Sequence, residues 1–399
     1  MRTYLLIMIF AAVLTYLLVP FVLRLALSLG AITQIRERDV HRTPVARLGG
    51  VAMFAGFVGA LVVASQIPYL AEVFAGTSAV WAIVLGGGLM CLLGAVDDIW
   101  ELNWYTKLAG EVLAAGVMAW QGVQLVTMPL FGLTVGSTRL TLFATILAVV
   151  IVANAVNFVD GLDGLAAGVV GIAAFAFFIY AYYLTREVSP GDYTSVATTV
   201  LAALVGAAIG FLPHNFHPAK LFMGDSGALM LGTVLAGATI LVTGQIDPAT
   251  VETRQALPAF MPLVIPLLIL VIPLIDLTWA VIRRLREGRS PFSADSGHLH
   301  HRLLKRGHSH TTAVLILYMW TAIASFSAVA YTIYPHVVVL VVAALAVLVG
   351  IGVTWVKFGA RPEDRSDDPT PLTPSAHPTE SSVPSDSGID EAKTNHASS

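Results

Sequence analysis

The chain has 399 residues, of which 56% are hydrophobic and only 12% charged, with a formal net charge of −3 and a mean hydropathy of +0.79. Soluble globular chains are about 45–50% apolar and about 25% charged, so too little polar surface remains here to face water. A soluble enzyme, a nucleic-acid binder and a disordered scaffold are thereby excluded, and a multi-span membrane protein remains.

An α-helix needs about 20 apolar residues to cross the hydrocarbon core of a bilayer. Eleven such runs occur, at 4–27, 48–67, 79–96, 105–121, 139–158, 163–184, 195–213, 226–243, 257–284, 312–332 and 335–357. They are continuous rather than alternating, which predicts helices and not a barrel. The first lacks a small-residue cleavage pattern and reads as a retained span. The fourth and eighth are the weakest because they are short. Pro262, Pro266 and Pro273 predict a kinked or broken ninth helix. Cys91 is the single cysteine, so neither a disulfide framework nor a Cys-based metal cluster is expected.

Lys and Arg accumulate in cytoplasmic loops. With eleven spans, one side carries Arg36, Arg38, Arg42, Arg47, Lys107, Lys220, the Arg283–Arg289 group, Arg302, Lys305, Arg306 and the tail's cations. The other carries only Arg2, Arg139, Arg186 and Arg254. The reading is an all-α integral membrane protein of about eleven helices, N-terminus outside and C-terminus cytoplasmic. Residues 1–359 form the membrane domain. From Ala360 the chain is rich in Pro, Ser, Thr and Asp without aromatics, which predicts a disordered cytoplasmic tail over 360–399.

Polar residues at the edges of spans are costly and need a reason. In chain order, the first group is Asp39, His41, Arg42 and Arg47 before a Gly49-Gly50 helix start; ordinary topology charges explain it about as well as binding does. The second is Asp97-Asp98, two adjacent carboxylates that repel unless a cation or donor lies between them, with Lys107 shortly after. The third is NAVNFVDGLDGL, in which Asn154, Asn157, Asp160 and Asp163 recur at spacing three, a single face if helical. The fourth runs from His214 and Asn215 through Lys220 and Phe222 to Asp225-Ser226. Asp225 or Ser226 could cap the helix that follows, and Asp225 could instead ligate a hard cation such as Mg²⁺. The fifth is the loop with Asp295, His298, His300, His301 and Arg302. Zinc signatures are absent, and a phosphate-gripping basic loop is the more economical reading. Asp276, inside the ninth run, is as readily structural as functional. All five groups fall on the cytoplasmic side of the eleven-span arrangement.

Together, RTPVARLGG, AVDDIWELNWYTKLAGE, NAVNFVDGLDGLAAG, NFHPAKLFMGDSGAL and HLHHRLL resemble the polyprenyl-phosphate N-acetylhexosamine-1-phosphate transferase family, of glycosyltransferase family 4 type. They occur in the family's order and span nearly the whole chain except the tail. The resemblance implies a multi-pass enzyme of the bacterial cell (inner or plasma) membrane with its active site at the cytoplasmic face. It implies Mg²⁺ as cofactor, with Mn²⁺ able to substitute. It implies transfer of a sugar 1-phosphate from a UDP-sugar donor to undecaprenyl or another polyprenyl phosphate, with release of UMP. Asp97 and Asp98 match the family's aspartate pair and Lys107 a phosphate-contacting lysine. Asn157, Asp160 and Asp163 match its nucleotide- and metal-side wall, Asn157 and Asp160 counting with Asp225 as metal ligands. Asn215 and Phe222 match the uridine pocket, with His298 a further substrate contact. His300, His301 and Arg302 match the catalytic histidine-rich loop. No nucleic acid is implied, and a homodimer stays open.

The branch acting on UDP-N-acetylmuramoyl-pentapeptide usually carries three consecutive histidines in that loop. His-Leu-His-His-Arg resembles instead the branch using UDP-N-acetylglucosamine, which leaves the pentapeptide donor as runner-up. A transporter of cations or sugars is the rival of another class, but polar groups at one membrane face rather than the midplane, without an inverted repeat, argue against it. On mechanism, a phosphate monoester with a second pKa near ~6 is already largely dianionic at neutral pH. Direct attack by the lipid phosphate is therefore expected, with the aspartate pair orienting Lys107 and the metal.

Overall fold

The computed structural model describes residues 1–32, 45–125, 137–188, 195–243, 270–288 and 299–356. The expected tail lies outside them, as do the Asp39–Arg42 segment and His298. Of His300 and His301 only the backbone is described. The described residues are helical and contain no strand, only two isolated β-bridges, Ile32 with Ala46 and Ala46 with Leu221.

The long helices are α1 (Arg2–Ser28), α2 (Gly49–Ser65), α4 (Ala79–Trp100), α5 (Trp104–Trp120), α6 (Thr138–Val159), α7 (Leu165–Val188), α8 (Val196–Asn215), α9 (Gly224–Thr243), α10 (Val271–Arg286), α12 (His310–Ile333) and α13 (His336–Trp355). Two are short, α3 (Ala71–Ala75) and α11 (Leu299–Lys305). Each predicted apolar run thus contains a helix, yet eleven spans are not what the described residues display. Eight helices are long and apolar enough to cross a membrane, or nine if α2 and the α3 region, bent by 96°, count as one. The shortfall has local causes. Helix α5 has 17 residues, about 26 Å of rise against a core of about 30 Å. Of the ninth run only the α10 portion is described, 16 residues long, and Pro262 and Pro266 lie outside the description.

The eighth run, weak in the sequence, is the centre of the bundle. Helix α9 is buried on nearly every side, packed among α2, α4, α6 and α8. Its small residues explain this: a helix rich in Gly, Ala and Thr lets neighbouring backbones approach closely. At Gly50 a side-chain carbon would meet the Gly227 backbone, and at Gly94 the Asp225 backbone. Helices α1 and α13 instead expose rows of Leu, Val and Ile, as suits lipid-facing surfaces.

A consequence can be measured. Gly50→Ala forces a β-carbon into the α9 backbone, which cannot move aside as a flexible side chain could. Overpacking of this kind costs about 1–3 kcal/mol, so the thermal unfolding midpoint of the purified variant in detergent is expected to fall. An unchanged midpoint would show that α2 and α9 can separate freely.

Candidate active site

Successive helices run in alternating directions, and their polar ends gather at one end of the bundle. The C-terminal ends of α4, α6 and α8 meet the N-terminal ends of α5, α9 and α12 there, joined by the hydrogen bonds below.

At the centre stands Lys107, in the first turn of α5. Its Nζ donates to Asp97 Oδ2 on α4 at 3.0 Å and to Asp225 Oδ2 on α9. With the Asn157 amide turned so that both its ends are satisfied, Oδ1 accepts from Lys107 Nζ at 3.1 Å and Nδ2 donates to Asp225 Oδ1 at 3.2 Å. Four residues spread over more than a hundred positions thus share one point. Lys107, Asp97 and Asp225 remain partly accessible, at 18, 15 and 24%, so a ligand can reach them.

The adjacent aspartates differ in role. Asp97 Oδ1 accepts from Leu102 N at 2.7 Å, while its other oxygen holds Lys107. Asp98 is buried and faces the start of α9, its two oxygens accepting from Asp225 N at 3.0 Å and Ser226 N at 3.1 Å. A carboxylate there satisfies two otherwise orphaned N–H groups and complements the positive end of the helix dipole. Asp98 is therefore the cap of α9, supplied from another helix. Asp225, which could have been the cap, is released to point at Lys107.

The NAVNFVDGLDGL residues do not form the single helical face their spacing suggests. Helix α6 ends at Val159, and the chain then turns through Asp160 to Gly164, the last with φ +77°. Asn154 points to buried Glu111 of α5, Asn157 to Asp225, and Asp163 elsewhere. Asp163 is buried, with Oδ2 accepting from Ala219 N at 3.1 Å and His217 Nδ1 at 2.8 Å. Its N–H donates to His310 Nε2 at 3.3 Å, and the His217 and His310 rings stack at 4.3 Å. Gly164 N donates to Asn215 Oδ1 at 3.1 Å, Asn215 Nδ2 donates to Leu221 O at 3.0 Å, and Tyr318 OH donates to Gly164 O. These bonds clamp the loop after α6 to the loop before α9 and to α12.

Asp160 is half-buried, and among the described residues its carboxylate accepts no hydrogen bond. Burial first, then the neighbouring Asp98 and Asp163 charges, push its pKa from 3.8 up to about 7, against the lowering effect of Arg47. The folded chain thus holds a proton that an exposed aspartate releases, and loses stability as pH rises between those two values. Without divalent cations, Asp160→Asn is expected to unfold at higher temperature than the wild type at pH 8, the gap narrowing toward pH 5. A gap independent of pH would refute this.

Asp97, Asn157 and Asp225 offer three oxygen donors converging on one cationic point. Such a set suits a hard divalent cation like Mg²⁺ or Mn²⁺. Asp163, His217 and His310 also place ligand atoms within 4.8 Å of one another, but the bonds just described already employ the Asp163 oxygen and give the trio a structural task.

The remaining expected residues lie as follows. Phe222 is half-buried beside the centre, its N–H donating to Ala46 O at 2.9 Å and its carbonyl accepting from Gly49 N at 3.0 Å. The Arg47-Leu-Gly-Gly segment, weak in the sequence, is thereby fastened to the loop before α9. Arg302 is exposed on α11, its guanidinium over the Trp279 ring at 5.8 Å. Among the described residues it has no bond to the Lys107 group. Asp276 is buried and caps α11, accepting from Leu299 N at 2.9 Å. Sequence reasoning named Ser226 as a possible cap and Arg284 only as a topology charge, and did not single out Glu111, His310 or Tyr318; Arg284 is buried against Phe158 at 5.1 Å. Glu111, a lone acid in an apolar run, carried a signal; His310, far along the chain from its partners Asp163 and His217, carried none.

The profile of glycosyl transferase family 4 matches residues 80–243, the stretch holding Asp97, Lys107, Asn157, Asp163 and Asp225. The chain is 39% identical to a decaprenyl-phosphate N-acetylglucosaminephosphotransferase of Mycolicibacterium smegmatis, over 90% of this chain and 89% of that protein. It is 40% identical to the protein of the same name in Mycobacterium tuberculosis strain H37Rv, over 80% of each. An undecaprenyl-phosphate alpha-N-acetylglucosaminyl 1-phosphate transferase of Yersinia pestis is 27% identical over 82% of this chain and 84% of its own.

Proposed function

The chain belongs to glycosyl transferase family 4, and from that premise we propose that the Lys107 group is the place where two phosphates meet. The protein is a multi-pass membrane phosphoglycosyltransferase. It transfers N-acetylglucosamine 1-phosphate from UDP-N-acetylglucosamine to a polyprenyl phosphate, releasing UMP. The observation that carries the site assignment is the convergence of Asp97, Asn157 and Asp225 on Lys107 at the ends of four helices.

In the reaction an oxygen of the acceptor phosphate attacks the sugar-bearing phosphorus of the donor. The bond from that phosphorus to the bridging oxygen breaks, and UMP leaves with the bridging oxygen. Phosphoryl transfer is chiefly positioning and charge neutralisation. Lys107 supplies a fixed cation for phosphate oxygens, and Asp97 orients it. Asp225 and Asn157, with Asp97 or Asp160 completing the set, would hold a divalent cation, which when bound would lower the charge repulsion between the two phosphates. Asp97 and Asp98 serve as orienting anions and not as nucleophiles, because all four of their carboxylate oxygens already accept hydrogen bonds. A phosphate trapped on either aspartate would overturn this. The site-bearing face is cytoplasmic, a reading supported by the distribution of Lys and Arg.

Purified protein in detergent should release UMP only when UDP-N-acetylglucosamine, polyprenyl phosphate and Mg²⁺ are all present. Excess chelator is expected to stop turnover, and added Mn²⁺ to restore it. Full activity in chelator would remove the metal from the proposal, and preferential use of UDP-N-acetylmuramoyl-pentapeptide would assign the chain to the other branch.

A further inference from the structure

A cavity of ≈ 300 Å³ opens among α10, α11, α12 and α13. Ile272, Leu303, Ile316 and Leu317 supply its walls. Trp320 lines it too, but its indole N–H is satisfied by Thr354 Oγ1 at 3.0 Å. The interior therefore makes no polar demand, and hydrocarbon is what it fits. Arg302 and Arg306 line the same cavity and are four residues apart, the spacing that places side chains on one side of a helical turn. Among the described residues neither guanidinium has a carboxylate partner or a hydrogen bond. Each lies over an indole instead, Arg302 over Trp279 and Arg306 over Trp355 at 5.6 Å. Those two tryptophans are 47 and 74% exposed. Exposed indoles beside arginines mark the level of lipid headgroups.

Two cations without a counter-charge among the described residues, beside an apolar pocket, call for one molecule that is anionic at one end and hydrocarbon at the other. A free anion would leave the apolar volume to water, and a zwitterionic lipid would leave the cations largely uncompensated. We propose that this cavity holds one anionic phospholipid of the bilayer, its phosphate between Arg302 and Arg306 and an acyl chain along Ile316 and Leu317. Basic pockets between membrane helices bind such headgroups, and arginine grips phosphate oxygens in pairs. The polyprenyl phosphate acceptor has similar chemistry, but its phosphate must arrive at Lys107, Asp97, Asn157 and Asp225, and among the described residues no hydrogen bond or ion pair joins that group to the lining. The bound lipid links α11 to α13, beside the existing bond of His308 Nε2 to Thr354 O at 3.2 Å.

The test is lipid retention, which does not depend on the transferase reading. Full-length protein purified in neutral detergent is exposed to phosphatidylglycerol, phosphatidylcholine, decaprenyl phosphate or inorganic phosphate. Bound lipid is counted by native mass spectrometry and thermal unfolding is followed in parallel. The wild type should keep one phosphatidylglycerol and unfold at higher temperature with it, and Arg306→Ala should weaken retention at least about tenfold. Should Arg306→Ala fail to fold, Ile316→Trp, which fills the cavity and leaves both arginines, must lose the lipid. Equal stabilisation by phosphatidylcholine or inorganic phosphate would overturn the proposal. So would undiminished retention in the variants, or displacement of phosphatidylglycerol by equimolar decaprenyl phosphate.

Discussion

Replacing Lys107 by alanine is expected to lower kcat by about 10³-fold, roughly 4 kcal/mol of transition-state stabilisation, without unfolding the protein. Among the described residues the lysine is the cation common to Asp97, Asp225 and Asn157, and its removal leaves two carboxylates facing a gap where it stood. Arginine should not rescue it. Its planar fork is larger and cannot enter a point held by three oxygen donors, so Lys107→Arg is expected to be nearly as inactive. The assay is UMP release at saturating donor and acceptor, with the unfolding midpoint as control. Activity within tenfold of wild type would show that the phosphates meet elsewhere.

Asp98→Ala should be the most damaging change at the aspartate pair, and for a structural reason. It leaves two buried N–H groups at the start of α9 without an acceptor, each costing about 1–3 kcal/mol. The unfolding midpoint should therefore drop with or without Mg²⁺, together with activity, because Asp225 sits on the first turn that Asp98 holds. Asp225→Asn should behave oppositely, losing turnover while retaining the midpoint. If Asp98→Ala kept its midpoint and only lost Mg²⁺ dependence, Asp98 would be a ligand and not a cap.

Much of the site could be read from the sequence, because acids and amides at the edges of apolar runs have few reasons to be there. Asp97, Lys107, Asn157 and Asp225 announced themselves this way, and the structure brings them to one point. What the sequence concealed was direction. Spacing three in NAVNFVDGLDGL implies one face only while the helix continues, and α6 stops at Val159, so its polar residues turn toward different helices. Adjacent Asp97 and Asp98 looked alike, but neighbours on a helix point about 100° apart, one to Lys107 and the other to α9. Arg302 reads as part of a phosphate-gripping loop; its guanidinium lies over Trp279 and lines a cavity, a placement fixed by tertiary packing that spacing alone does not give. Among the described residues the span count stays below eleven where helices are short, as α5 is below the length of the bilayer core; α9, weak by its run length, is nonetheless long and apolar enough to cross and is deeply buried.

The position of α9 sets an order for biogenesis. The helices it packs against, α2, α4, α6 and α8, all precede it in the chain, so the ribosome delivers α9 into company already synthesised. A nascent chain that ends before Gly224 carries Asp97, Lys107 and Asn157 but neither Asp225 nor the N–H groups that Asp98 grips. Such a chain can enter the membrane and still have nothing to catalyse with. The Lys107 group is therefore complete only once α9 has joined the helices that precede it.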